Sequence, residues 1–223
     1  MTNVKFQDAH VVVRGTSRYN NGAYDTVSVF TTIITDEPLS EEYYVPSGNS
    51  LSNEAIAMIK KSGLEFRPYR ESDLLAGTED VVTEAKENRT EETEQDVARI
   101  LLRSALVKCP LTLINQIGNS YVYEVRYDYK IYCQSNGSYQ FEIRLPFDGV
   151  ALQNGGQVQL TVLTPKGATV NGVETKGLDE NGNEIQEEIT QLQNTNCMVT
   201  AFRYQLDPLF IINYTHNEPL YQG

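Results

Sequence analysis

The chain has 223 residues, with 18 Lys and Arg against 30 Asp and Glu for a formal net charge of -12, and its 40% hydrophobic and 22% charged content is that of a globular protein. A chain this long buries roughly 70% of its unfolded surface, enough for one large domain or two small ones. The acidic balance argues against a nucleic-acid partner, which needs clustered Lys and Arg. With no apolar run near the roughly 20 residues that span a bilayer, and no charged-then-hydrophobic leader in residues 1–20, the sequence reads as a cytosolic product without a membrane span.

From the N-terminus, Val11 to Arg14 and Val27 to Thr35 are β-rich and bracket Asn21-Gly22. Residues 1–45 are therefore assigned to strands. A mainly helical insert over residues 46–105 follows. Ser52 is placed as an N-cap, Leu51 and Ile56 sit at the two positions of a hydrophobic staple, and Lys60, Lys61 and Gly63 supply the stop.

Between Glu79 and Asp96 eight acidic residues meet only Lys86 and Arg89, so the stretch holds -6, half of the whole charge. It reads as a solvated excursion, with an acidic arm for a basic partner as the alternative. A second helix is expected from about Thr93, with Val97, Ile100, Leu101 and Ser104 on one face, until Pro110 forbids continuation.

Residues 106–216 return to strands. Tyr121, Tyr123, Val125, Tyr127, Tyr129, Ile131 and Cys133 alternate with Val122, Glu124, Arg126, Asp128, Lys130 and Tyr132, a two-residue period that puts aromatic rings on one face and mostly charge on the other. The simplest reading of Tyr121, Tyr123, Tyr127 and Tyr129 is the buried side of a sheet. After Ser135-Asn136-Gly137-Ser138 the alternation resumes through Tyr139, Phe141, Ile143 and Leu145. An Asn-Gly pair between two such runs predicts a hairpin closed by a type I′ turn, in which both central residues take positive φ.

The dipeptide recurs at Asn154-Gly155, Asn171-Gly172 and Asn181-Gly182, each beside β-rich sequence: Val158, Leu160 and Val162; Ala168 to Val173; Ile185 and Ile189. Five such pairs punctuating short strands predict a sandwich or a meander. Cys197 to Gln205 and Leu209 to Thr215 add two strands, broken by Leu206-Asp207-Pro208, and residues 217–223 form a C-terminal tail.

Site chemistry is sparse. Cys109, Cys133 and Cys197 lie 24 and 64 residues apart with no CxxC or CxxH spacing, so a zinc site lacks ligands and the thiols are expected to be buried and inert. His10 and His216 fall in the first and last strand-like segments and would be neighbours if the termini pair; otherwise they are ordinary polar residues. Asp179, Asn181 and Asn183 alternate as in a calcium loop, yet the sixth and twelfth positions are Glu184 and Thr190 where Gly and Glu are required. That segment is expected to be a hairpin tip. The triplets beginning at Asn88, Asn136 and Asn213 match glycosylation sequons, which mean little without a secretory signal.

No GxxxxGK[ST], GxGxxG or GxSxG motif occurs, and a glycosidase pair depends on two carboxylates about 5 to 10 Å apart in space, which spacing in sequence does not supply. Lacking Trp, the chain also lacks the usual sugar-stacking platform. The fold class expected is mainly β, an antiparallel β-sandwich with a helical acidic insert, or two β subdomains if the segment after Tyr121 closes a sandwich of its own.

A Tyr-rich, Asn-Gly-rich, Trp-free, acidic chain without cofactor motifs resembles bacteriophage and other viral structural subunits in composition. That resemblance implies a non-catalytic structural subunit of a large assembly, in the capsid, neck or tail of a virion, made in the cytoplasm, acting through protein partners in a homo- or hetero-oligomer and needing no cofactor or metal. Two rival expectations are a cell-surface β-sandwich binding module, such as an adhesin or carbohydrate-binding domain, and a hydrolase using paired carboxylates.

Overall fold

The structure is a computed structural model. It describes residues 2–39, 42–46, 55, 59, 69–70, 91–146, 150–185, 187–192, 197–205 and 208–216. The chain is mainly β and divides into two units, residues 1–40 with 110–223, and residues 41–109.

The first unit is built from β1 (Thr2–Arg14), a short 3-10 turn (Thr16–Tyr19), β2 (Tyr24–Thr35), and, after the second unit, the strands that follow Pro110. The second unit holds β3 (Tyr43–Pro46), β4 (Tyr69–Arg70), α1 (Glu91–Ser104) and β5 (Leu106–Lys108), with its strands in the order β4-β3-β5.

Helix α1 buries Ala98 and Leu102 completely, while Ile100 is exposed. The inward face is therefore rotated by about one residue from the expected stripe of Val97, Ile100, Leu101 and Ser104. Asp96, itself buried, receives Arg99 Nη1 at 3.1 Å across one turn. The helix stops at Ser104, well short of Pro110, because Leu106–Lys108 leave it to pair with Val45 and its neighbours in β3. Only residues 55 and 59 of the expected Ser52 helix, and only residues 91–96 of the acidic stretch, lie within the described residues.

Returning to the first unit, the remaining strands are β6 (Leu111–Ile117), β7 (Ser120–Tyr132), β8 (Tyr139–Arg144), β9 (Val150–Leu163), β10 (Ala168–Val170), β11 (Lys176–Leu178), β12 (Glu184–Ile185), β13 (Glu187–Leu192), β14 (Cys197–Tyr204) and β15 (Leu209–His216). A seven-stranded sheet runs β13-β14-β9-β1-β2-β7-β6. A second sheet is organised on β15, with β8 on one edge and β10 and β11 on the other, and β12 beyond β11. Among the described residues every pair in these two sheets is antiparallel except β1 with β9, which is parallel.

The two sheets share one core. Period-two alternation sends Val11, Val27, Val125 and Leu160 inward from the large sheet and Phe141, Phe210 and Ile212 inward from the small one, each nearly or fully buried. Phe202 of β14 meets Phe210 of β15 with ring centroids 4.7 Å apart. Such a pair adds about 0.5–1.5 kcal/mol beyond the area it buries.

Tyr123, Tyr127 and Tyr129 are buried on this inner face, as the alternation predicts, while Tyr121, expected with them, is half-buried. The hairpin expected around Asn136-Gly137 is corrected. β7 pairs with β2 and β6, whereas β8 pairs with β15 in the other sheet. Gly137 has φ +83 but Asn136 is not left-handed, and Gln134 N donates to Ser138 O while Gly137 N donates to Gln134 O. The loop is thus a tight turn with a single left-handed glycine, used as a corner between layers. Pairing β8 beside β7 would extend one sheet and leave both aromatic faces uncovered; crossing over makes β8 part of the layer that covers them.

Asn154-Gly155 also fails to turn the chain. β9 runs straight through it, and the register against β1 jumps from Val4↔Leu152 to Phe6↔Gln157, so the pair forms a bulge. A Cβ on Gly156 would lie 2.9 Å from Val4 O, so the bulge admits only glycine there without movement of the backbone. The segment after Tyr121 does not close a sandwich by itself, since β7 depends on β2 and β9 on β1.

Candidate functional site

Two places in the first unit stand out, one for its buried polar groups and one for its exposed apolar ones. The first gathers around Asp25, near the start of β2. Gly15 ends β1, the 3-10 turn reverses the chain, and Asn21-Gly22, both with positive φ, feed it back into β2. This local geometry brings Ser17 over Asp25. From the other sheet β15 delivers Tyr214 and His216, on alternate positions and therefore on one face.

Asp25 is fully buried and accepts three hydrogen bonds: Ser17 N donates to Oδ1 at 2.9 Å, and Tyr214 Oη and His216 Nε2 reach Oδ2 at 2.6 and 2.7 Å. Burial raises the carboxyl pKa, but the bonds from His216, Ser17 and Tyr214 outweigh it and hold the group below the usual carboxylate range. The Tyr214 phenol, with no exposed surface, is driven far up by burial and then by the adjacent carboxylate. Tyr139 stacks on Tyr214 at 5.4 Å, and burial pushes its phenol up to about 12.

Ser17, His216 and Asp25 are the residue types of a nucleophilic triad, and their geometry is different. A triad needs the serine on one imidazole nitrogen and the acid on the other. Here Ser17 Oγ (3.3 Å) and Asp25 both face Nε2, while Nδ1 is buried with no hydrogen-bond partner among the described residues. Ser17 is also fully buried. The arrangement works as a clasp joining the end of the last strand to the first hairpin of the large sheet.

The second place is β6, the terminal strand of the large sheet. Among the described residues only one edge of it is paired, to β7, and the register slips between Leu113 and Asn115, leaving Ile114 as the bulged residue. Six of its seven residues are exposed, among them Leu113 at 50%, Ile114 at 55% and Ile117 at 66%. Apolar side chains this open on a sheet edge are the feature that natural edges usually avoid.

The sequence-level candidates fall as follows. His10 sits in the middle of β1, opposite Phe30 and Thr161, exposed and 3.4 Å from Asp8, so the two histidines are not neighbours. Cys109 is buried, and burial pushes its thiol up to about 12; Cys133 is exposed, against the expectation of a buried thiol, and Cys197 is half-buried. Asp179 caps its own turn, accepting from Asn181 N, Asn183 N and Asn183 Nδ2, and Leu178 pairs with Glu184, so the calcium-like segment is the tip of the β11–β12 hairpin. Asn213 of the third sequon is 1% exposed, closed to any glycan; Asn88 of the first lies outside the described residues. Among the described residues, no group of three or more His, Cys, Asp or Glu is arranged to hold a metal ion, and no helix is long and apolar enough to cross a membrane.

Neither the clasp nor β6 follows from the expected sites. Asp25 meets His216 across 191 positions, beyond any local signal. β6 did leave one: residues 109–123 contain no Asp, Glu, Lys, Arg or His, an uncharged run in an otherwise highly charged chain.

No known family model matches the sequence, and no curated protein matches it. Among solved structures, the yeast delta-COP-I mu-homology domain complexed with a Dsl1 WxWxV peptide aligns at a TM-score of 0.20 with 10% identity, covering 99% of this chain and 79% of that one. The same yeast domain without the peptide gives 0.19, again with 10% identity and the same coverage. Scores this low define no common fold.

Proposed function

We propose that this protein is a non-catalytic structural subunit of a large assembly, a bacteriophage virion component of the capsid, neck or tail being the particular case, and that it works through packing against other protein chains. The observation supporting this reading is β6: an edge strand whose Leu113, Ile114 and Ile117 are half or more exposed is costly to leave in water and is satisfied by a partner. The clasp agrees with it, because its serine and acid share one imidazole nitrogen in a buried setting suited to holding strands. Composition gives secondary support, through the resemblance of this acidic, Trp-free, Tyr-rich chain to viral structural subunits.

The test is negative-stain electron microscopy of the purified chain over a range of concentration and salt. Rings, tubes, sheets or closed particles are expected. Isolated chains under every condition, alone and with other proteins of its source particle, would refute the assembly role.

A further inference from the structure

We propose that Asn171 is a self-modification site, converted in the folded chain to aspartate and isoaspartate by attack of the Gly172 backbone nitrogen, ahead of the other four Asn-Gly pairs. This inference is independent of the assembly reading and concerns the excursion between β10 and β11.

An asparagine carboxamide is open to attack by the amide nitrogen of the next residue, and glycine there resists least because it has no Cβ. All five pairs share that chemistry. The fold separates them by what it does with the glycine N–H. Gly22 N donates to Ser17 O at 2.8 Å, Gly137 N to Gln134 O at 3.0 Å and Gly182 N to Asp179 O at 3.0 Å. Each of these bonds must break before the nitrogen can react. Asn154-Gly155 lies in the bulge of β9, where backbone packs so closely that a Cβ on neighbouring Gly156 would meet Val4 O at 2.9 Å, which opposes the rotation that ring closure needs. Gly172 is exposed, and among the described residues its N–H meets no acceptor.

The group under attack is also held ready. Val173 N donates to Asn171 Oδ1 at 3.1 Å, which folds the carboxamide back along its own backbone and puts a donor on the oxygen where negative charge develops. Asn136 receives the same bond from Ser138 N at 2.9 Å, but there the glycine nitrogen is engaged. The ends of the Asn171 loop are fixed to β15: Val170 pairs with Tyr214 and Lys176 with Ile211, while Asn171 N donates to Asn213 O and Thr175 N to Asn171 O.

Solvent base removes the Gly172 amide proton, the nitrogen bonds to Asn171 Cγ, and Nδ2 takes a proton from water and leaves as ammonia. Water then opens the cyclic imide, at Cγ to give aspartate or at the main-chain carbonyl carbon to give isoaspartate. The net change is water consumed and ammonia released. Either product adds one negative charge to the formal -12, and isoaspartate lengthens the backbone by one methylene between two strands anchored on β15. The conversion runs one way and records the age of the chain.

The test holds the wild-type protein at mildly alkaline pH in heavy-oxygen water and follows its peptides by mass spectrometry, with fragmentation that separates aspartate from isoaspartate. Label enters each new carboxyl from solvent, so only conversion during the incubation is counted. In the folded chain Asn171 is expected to convert ahead of Asn154 and roughly 10-fold faster than Asn21, Asn136 and Asn181, the factor that one backbone hydrogen bond broken before reaction is worth. In denaturant the five are expected to react at closely similar rates. Equal rates at all five in the folded chain, or Asn136 or Asn154 in the lead, would overturn the proposal. The same order and spread of rates in denaturant would assign the preference to local sequence and overturn it as well.

Discussion

Asp25 and Ile114 belong to the same seven-stranded sheet, in strands separated only by β7, and their surroundings are opposites. Around Asp25 the chain brings four polar groups, from the 3-10 turn and from two sheets, into a volume closed to water and pairs nearly all of them. Around Ile114 it leaves apolar side chains in water and, among the described residues, one strand edge without a strand. Buried polar groups that are paired fix position, because every alternative arrangement leaves one unsatisfied. Exposed apolar groups fix nothing within the chain and lower the free energy of contact with something outside it. The clasp therefore belongs to folding, and β6, in the assembly we propose, to association. Substitutions should separate the two.

The largest separation is expected at Asp25→Ala. Three donors, Ser17 N, Tyr214 Oη and His216 Nε2, lose their acceptor inside the core. Breaking a buried charged network from one side costs about 3–5 kcal/mol. A fall of that order in the denaturant unfolding free energy is expected, with no change in how the folded fraction associates. A loss under about 1 kcal/mol would mean that water reaches these groups and that they do not fasten the sheets.

The same carboxylate sets an acid limit. Its folded pKa lies below the ordinary 3.8, so the ionised form binds its three donors more tightly in the folded state than in the unfolded one. The stability this contributes is full above the unfolded value of about 3.9, shrinks as pH falls below it, and is gone once pH passes beneath the folded value. Unfolding midpoints measured downward from neutral pH should hold steady to about pH 4 and then decline. In Asp25→Asn that share of the decline should vanish; an identical acid limb in both proteins would assign it to other carboxylates.

Tyr214→Phe is a milder break. It removes one donor, leaves Asp25 with Ser17 and His216, and keeps the ring stacked on Tyr139. About 1–2 kcal/mol is expected, for a hydrogen bond to a charged acceptor. Calorimetric Tm is the readout, and a rise would mean that the hydroxyl is retained at a net cost.

Much of the architecture was legible and little of the clasp was. Alternation along β7 identified its buried face because a sheet with one covered side needs period two, and Tyr123, Tyr127 and Tyr129 are buried accordingly. Asn-Gly marks were less informative than they look. Asn21-Gly22 and Asn181-Gly182 join strands that pair directly, whereas Asn136-Gly137 is a corner between sheets, Asn154-Gly155 a bulge within β9, and Asn171-Gly172 an excursion between β10 and β11 on one edge of β15. Positive φ is a local demand, and what the chain does after meeting it is decided by which strand edge is open and which face needs cover. Distance in sequence hid the rest: nothing near Asp25 indicates that its partners stand at Tyr214 and His216. β6 was visible as an uncharged run, yet length and period read alike for a buried strand and an exposed one, and burial is settled only by the neighbouring sheet.

The smallest effect on folding is expected at Ile117→Lys. Ile117 is 66% exposed beside the β6–β7 turn, opposite Ser120, so its side chain loses little on replacement, and a lysine there reaches water without strain. Unfolding free energy should stay within about 0.5 kcal/mol of wild type, the range of ordinary surface changes. In the assembly we propose, association should respond instead, because a lysine ammonium at position 117 would be carried into an apolar contact with the partner. Measured together, chemical denaturation at high dilution and sedimentation at high concentration give two numbers that the clasp and the edge are expected to divide between them. If Ile117→Lys lost more than about 1 kcal/mol in the isolated chain, β6 would be packed within the chain itself, and the contrast with Asp25 would collapse from that side.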